Sequence, residues 1–180
     1  MNRQAHPLEA TDIEAHAFKG VMRDVAGAVS VITAAHRGQR AGLTATSLTA
    51  LSAEPPTVIV CVNRAASAWP VIEAAGHFAI NVLTARHQDI ADRFAGRGGH
   101  AGEARFGIGA WRPLATGAPT LDSALAVLDC RIDEVIPRHS HVILIGRIKA
   151  IRQGREGGAL LYWRGLYGTL DEELQNGAGI

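Results

Sequence analysis

Cysteine is scarce. Cys61 and Cys130 are the only two in 180 residues, with no CxxC spacing, which excludes a disulfide framework and a dithiol redox motif. So few thiols fit a reducing cytoplasm. Cys61 sits inside an apolar run, the setting of a buried structural thiol rather than a nucleophile. Long apolar stretches are missing too. None reaches the roughly 18–20 residues of a spanning helix, and the start, Met1 to Pro7, lacks the apolar segment of an export signal. No membrane partner is therefore expected. Charge of either sign is not in excess: 18 Lys and Arg face 17 Asp and Glu, so nothing draws the chain to nucleic acid. There is no GxxxxGK[ST] loop. The run Gly96-Arg97-Gly98-Gly99-His100-Ala101 follows a helical pattern rather than a strand, which argues against a dinucleotide fingerprint. One shortage is local. From Val25 to Ala53 there is no acid, while His36, Arg37 and Arg40 lie within the window. An anionic ligand would meet little repulsion there.

That acid-free window holds the stretch on which the functional reading turns. Gln39 to Ser52 reads as a strand entering a hydroxyl-rich loop, with Thr44, Thr46, Ser47, Thr49 and Ser52 after Gly42. Such a loop suits a phosphate and the polar edge of a flat heterocycle. An ordinary strand and turn would use the same residues.

The length fits one domain, with 1–15 a loose arm, 16–170 the folded unit and 171–180 an acidic, glycine-rich tail. Spacing predicts a helix from Ala15 to Val25, ended by Gly27, with Phe18, Val21, Met22 and Val25 on one side. Strands follow at 28–33 and at 57–62, the second apolar enough to be covered on both faces. A helix over 67–76 has Ser67 as N-cap and Gly76 as its stop. A strand at 77–83 leads to a helix capped by Thr84, with Ile90 and Phe94 inward and an Asp89–Arg93 pair outward. Residues 96–109 look mobile. Alternation marks a strand at 125–136 and another at 141–151, with a bulge or bend at Gly146. One extended segment closes the chain at 159–170. About six or seven strands, mostly in hairpins, suggest a closed or partly closed antiparallel barrel.

Taken in order, several stretches resemble the flavin reductase family, the short reductases of two-component monooxygenases. They are Gly27 to Thr33, Gly42 to Ser47, Ser52 to Pro56, Phe78 to Leu83, His141 to Gly146 and Leu161 to Gly168. The resemblance implies a mainly β fold, an FMN-binding split β-barrel, Greek-key-like and antiparallel, with inserted helices. It implies a cytoplasmic homodimer that takes hydride from NADH or NADPH to FMN or FAD and supplies a separate monooxygenase. By position, Thr44, Ala45, Thr46 and Ser47 would line the flavin ring and start the phosphate site. Cys61, Val62 and Asn63 would meet the ring and ribityl chain, Ser67 the phosphate, and Phe78 and Asn81 the same pocket. A core Phe and a strand-end Asn remain open readings of those last two.

His141 matches the family histidine beside flavin and nicotinamide, the single catalytic candidate. His139-Ser140 stand where many members have Gly-Asp. Alternate residues on a strand share a face, so His139 and His141 admit a metal, but no further ligand spacing accompanies them and none is expected. Arg97, Arg105 and Phe106 are candidates to cover nicotinamide. Trp69, Trp111, Trp163, Tyr162 and Tyr167 read as packing or interface aromatics. Arg164 and Tyr167 are candidates to border a neighbouring subunit's flavin. Two rival readings use the same barrel: a flavin carrier without catalysis, and a pyridoxamine-phosphate-oxidase-like flavoenzyme.

Overall fold

A computed structural model describes residues 13–154 and 157–170; the predicted tail and most of the predicted arm lie outside these. The chain runs α1 (Ala15–Met22), β1 (Gly27–Ala28), β2 (Ser30–His36), β3 (Gln39–Ala45), β4 (Thr49–Ala53), β5 (Pro56–Asn63), α2 (Trp69–Ala75) and β6 (His77–Val82). Then come α3 (Gln88–Phe94), β7 (Trp111–Pro113), β8 (Pro119–Leu121), β9 (Ala126–Arg138), β10 (His141–Gln153), β11 (Ala159–Trp163) and β12 (Leu166–Leu170). Short 3₁₀ turns at 85–87, 97–99 and 102–106 link α3 to its neighbours.

All strand pairs are antiparallel. Seven strands form one sheet in the order β3-β2-β6-β9-β10-β5-β4. Its end strands, β3 and β4, are not paired with each other, so the barrel is not closed by backbone bonds. The chain itself crosses that gap from β3 to β4. At the crossing the Ser47 Oγ accepts from the Cys61 N–H and donates to the Cys61 carbonyl, both at 3.0 Å. One hydroxyl thereby extends the β4–β5 ladder by a rung beyond Thr49 and Ile59.

Alternation along the strands divides the core. Ile32, Phe78, Ile80, Val60, Val62 and Leu144 point inside the curled sheet and meet Trp69 and Ile72 of α2. Val29, Val31 and Val127 point the other way, against Ile90 and Phe94 of α3, Phe106, Leu121 and Leu160. Gly76 stops α2 in the left-handed conformation, as the sequence predicts (φ 66°). Ladder register shifts at Gly146, where the sequence places a bulge.

Other expectations need correction. β4 is a strand and not loop; β7 and β8 form a ribbon too short to register as a pattern. Residues 159–170 are a hairpin, turned by Arg164 and Gly165, both at positive φ. Such a two-residue turn matches strand twist, but Arg-Gly lacks the Asn or Asp that usually signals it. The 96–109 segment is anchored: Arg105 donates to the Gly42 and His100 carbonyls, and Phe106 is buried against Phe94 and Trp111. Asp89 accepts from the Ile90 N–H and Arg93 donates to the Ala104 carbonyl, in place of the predicted pair. Gly27 begins β1 rather than ending a helix. Finally, α1 buries none of its side chains; Phe18, Val21, Met22 and the following Val25 are exposed.

Candidate functional site

The β3 end and the β11–β12 hairpin enclose a cleft of about 250 Å³. Thr44, Ala45 and Thr46 form one wall; Tyr162, Tyr167 and Arg97 form the other. Thr46 and Tyr162 also line an adjoining groove of about 690 Å³ toward α1, together with Lys19, Arg23 and Arg164. No Asp or Glu lines either space, and four cations do. Flat apolar faces beside positive charge suit a planar heterocycle that carries phosphate. Since the two spaces share residues, the combined room exceeds that of the cleft alone.

The hydroxyls are used differently from the sequence expectation. Thr44 Oγ1 donates to the Ala91 carbonyl at 2.7 Å, Ser47 is bound to Cys61, and Ser52 bonds the Glu54 backbone. These three fix the shape of the loop. Thr46 is exposed at the junction of the two spaces, and a Cβ on Gly27 would come within 2.8 Å of its own Cβ. The close approach of β1 to the loop at Thr46 thus needs a glycine there.

The aromatic wall is braced. The Tyr162 and Tyr167 rings meet edge-on at 5.3 Å. Tyr167 donates to Asp92 Oδ1 at 3.0 Å, and Arg97 reaches the same oxygen at 2.7 Å with its guanidinium over the Tyr167 ring. Burial, with the Asp92 carboxylate beside it, pushes the Tyr167 phenol up to about 12. It is a neutral donor under ordinary conditions.

From Ser47 the remaining candidates continue along the outside of the sheet. Cys61 and Asn63 alternate outward on β5, while Val62 is buried. His141 lies directly opposite Asn63 in the ladder, exposed on the same face. Its Nδ1 is 2.9 Å from Ser140 Oγ. His139 takes the turn at φ 50°, a conformation costly for a side-chain-bearing residue and free for a glycine. A cavity of about 360 Å³ opens beside this row, between Asn63, Arg64 and Trp69 on one side and His139 and Ser140 on the other. So Thr44 to Ser47, Cys61, Asn63 and His141 form one band.

Four candidates lie off it. Val62 alternates inward on β5 and is fully buried in the inner core. Phe78 is fully buried in the inner core. Asn81 is fully buried, donating to the Val31 carbonyl and accepting from the Leu121 N–H at 2.7 Å. These are the core-Phe and strand-Asn readings. Ser67 is exposed in the turn before α2, whose N-cap is Ala68 without a side-chain bond. The expectation of a buried Cys61 is also corrected, since β5 has one open face. Tyr162 and Arg97 carry no local signal of a place in this cleft, because the opposite wall, Thr44 to Thr46, is more than fifty residues away in sequence.

The sequence model of the flavin reductase like domain matches residues 22–171. FMN reductase (NADH) RutF 1 of Methylorubrum extorquens is 38% identical over 172 residues, covering 94% of this chain and 83% of the relative. FMN reductase (NADH) RutF of Cronobacter sakazakii is 34% identical, covering 89% and 96%. Among solved structures, a nitrilotriacetate monooxygenase component B homologue from Mycobacterium thermoresistibile superposes with a TM-score of 0.82 at 30% identity, over 92% of this chain and 91% of its own. BorF, the flavin reductase component of a bacterial two-component tryptophan halogenase, gives 0.81 at 28%, over 88% and 99%.

Proposed function

The chain belongs to the flavin reductase like domain family, and on that premise we propose that it is an NADH- or NADPH-dependent flavin reductase acting on FMN or FAD. The observation that carries the reading is the acid-free cleft walled by Thr44 to Thr46 and by Tyr162 and Tyr167, continuous with a groove bearing Lys19, Arg23 and Arg164. When bound, flavin and nicotinamide supply the hydride acceptor and donor between them. The protein's task is to hold, orient and exclude water. The loop at Thr44 to Ser47 and the outward β5 residues Cys61 and Asn63 offer backbone and side-chain dipoles to the ring edge. Lys19 and Arg23, which face no carboxylate among the described residues, offer partners to phosphate, while Arg97 and Arg164 are held by Asp92 and Asp24. His141, steadied by Ser140, positions the second ring. The names of the relatives favour NADH and FMN as the first pairing to try.

The working form is a homodimer. Half-buried Ile59, Ile143 and Ile145 join Cys61 in an outward apolar face of β5 and β10 that a second copy would cover. Reduced flavin then passes to a separate monooxygenase in the cytoplasm. No helix among the described residues is long and apolar enough to cross a membrane. The test is steady-state oxidation of each nicotinamide with each flavin. Turnover that depends on added flavin is expected; its absence in all four combinations rejects the activity.

A further inference from the structure

At the other end of β6 from the flavin cleft, a cavity of about 500 Å³ opens between the end of α2, the loop at Ala115 and Thr116, and the β9–β10 hairpin. Its lining carries Arg131 and Lys149 with His77 beside them, and no acid. We propose that this cavity binds a phosphate-bearing small molecule at a site separate from the flavin.

The backbone brings the three groups together. His77 stands opposite Arg131 in the β6–β9 ladder, and Lys149 falls where the β9–β10 register shifts between Ile148 and Ala150. Many cations on this protein already face a carboxylate: Arg40, Arg97, Arg112, Arg147, Arg152 and Arg164. Arg131 and Lys149 have no such partner among the described residues. Arg131 also has Arg147 as its other ladder neighbour, and that residue is held by Asp133 at 2.8 Å. Of the two acids two residues away along β9, Asp133 is taken by Arg147, and Asp129 is fully buried and committed to Thr116, whose N–H and hydroxyl both donate to it. That bond fixes the loop wall and removes the obvious internal counter-ion. The wall on the α2 side is fixed by the Ile132 N–H donating to the Gly76 carbonyl at 3.0 Å. His77 completes the lining, with its Nε2 enclosed by the protein and without a hydrogen-bond partner among the described residues.

A planar fork and a flexible ammonium on one rigid concavity are the pair that grips a phosphate dianion, Arg in two-point contact and Lys as a point charge. The volume lies within the roughly 300–1,000 Å³ of small-molecule pockets, more than a bare oxyanion fills. The site is not the catalytic band. His141 and Lys149 are eight residues apart on one strand, or about 26 Å at strand rise.

The experiment is calorimetric titration of the full chain at low ionic strength with FMN at saturation, so that the flavin cleft is closed to competitors. Inorganic phosphate, adenosine 5′-monophosphate and adenosine are titrated separately. Phosphate and the nucleotide bind and adenosine does not; tighter binding of the nucleotide identifies an ester, and equal binding a free phosphate. Arg131→Gln and Lys149→Gln each weaken binding by roughly tenfold or more and leave flavin-dependent turnover unchanged. Ala115→Asp keeps both cations, places a carboxylate in the exposed loop wall and has the same effect on binding. Circular dichroism verifies that each variant is folded. The proposal is overturned if neither anion binds, if binding survives all three substitutions, or if a Glu hexapeptide binds the same cations more tightly than either, which would make this a protein-docking surface.

Discussion

Cys61 on β5 and Cys130 on β9, with β10 between their strands, have the same side chain and opposite chemistry. Cys130 faces the inner core, where burial, reinforced by the Asp129 charge, pushes its thiol up to about 12. Cys61 faces outward beside Ser47. A neutral disulfide reagent should therefore modify one thiol in the native protein and the second only on unfolding; Cys61→Ser abolishes the native reaction. FMN should slow that labelling, and equal rates with and without FMN would take Cys61 out of the flavin site. The inner core also sets a limit at Gly146. A Cβ there would sit 2.5 Å from Phe78 Cζ and 3.2 Å from Cys130 Cβ. Because Phe78 is fully buried, Gly146→Ala should cost about 1–3 kcal/mol, read as a lower urea midpoint. Residue roles were only half legible in the sequence. The apolar run around Cys61 has a buried thiol as its ordinary reading, because neither the open face of β5 nor its neighbours in β10 can be seen from position 61 alone. Asn81 looks like a ligand for the mirror-image reason: its partners, Val31 and Leu121, are fifty and forty residues away.

Elements with strong local patterns could be read directly: β2, β5, β6, β9, β10 and the Gly76 stop all appear where periodicity or backbone chemistry places them. Those held by distant contacts could not. The 96–109 segment has the composition of a loose loop, yet Arg105 bonded to Gly42 and Phe106 packed on Phe94 fix it to β3 and α3. Thr84 was legible as a cap, although its partner is unusual. His87 Nδ1 accepts from the Thr84 N–H at 3.2 Å, which puts the ring proton on Nε2, 2.9 Å from Ser123 Oγ. Burial lowers the His87 pKa below its ordinary 6.5, against a smaller opposing pull from Asp89. The unfolded chain therefore takes up a proton on acidification before the folded one does. The associated stability is fully present above the unfolded value and is lost as pH falls below it. Denaturant titrations from neutral to mildly acid pH should show this decline, and His87→Gln should flatten it while lowering stability at neutral pH by about 0.5–2 kcal/mol through the weakened cap. An unchanged pH slope in the variant would assign the decline to other groups.

The described residues leave two apolar surfaces uncovered: α1 with its exposed Phe18, Val21 and Met22, and the outward face of β5 and β10. The first is tethered to its own hairpin, where Arg164 pairs with Asp24 at 2.6 Å and Trp163 Nε1 donates to the Asp24 carbonyl. Its exposure therefore does not depend on a partner for position. The second carries the predicted site residues Cys61, Asn63 and His141 among its members, so covering it would also build the far wall of the flavin band. The ladder places Ile59 opposite Ile145 at the centre of that face, and Cys61 opposite Ile143 on the side toward Asn63 and His141, where the flavin band begins. A stable self-association needs about 800 Å² from each partner with an apolar centre, and a charge placed at the centre is desolvated without compensation. Ile145→Asp and, separately, Ile59→Asp should convert the proposed dimer to a monomer in sedimentation velocity at micromolar concentration. Both should weaken FMN binding in parallel, because the site loses its second wall along with the partner. Circular dichroism separates this outcome from unfolding. A wild-type chain that sediments as a monomer with full flavin-dependent turnover would remove the second copy from the site altogether.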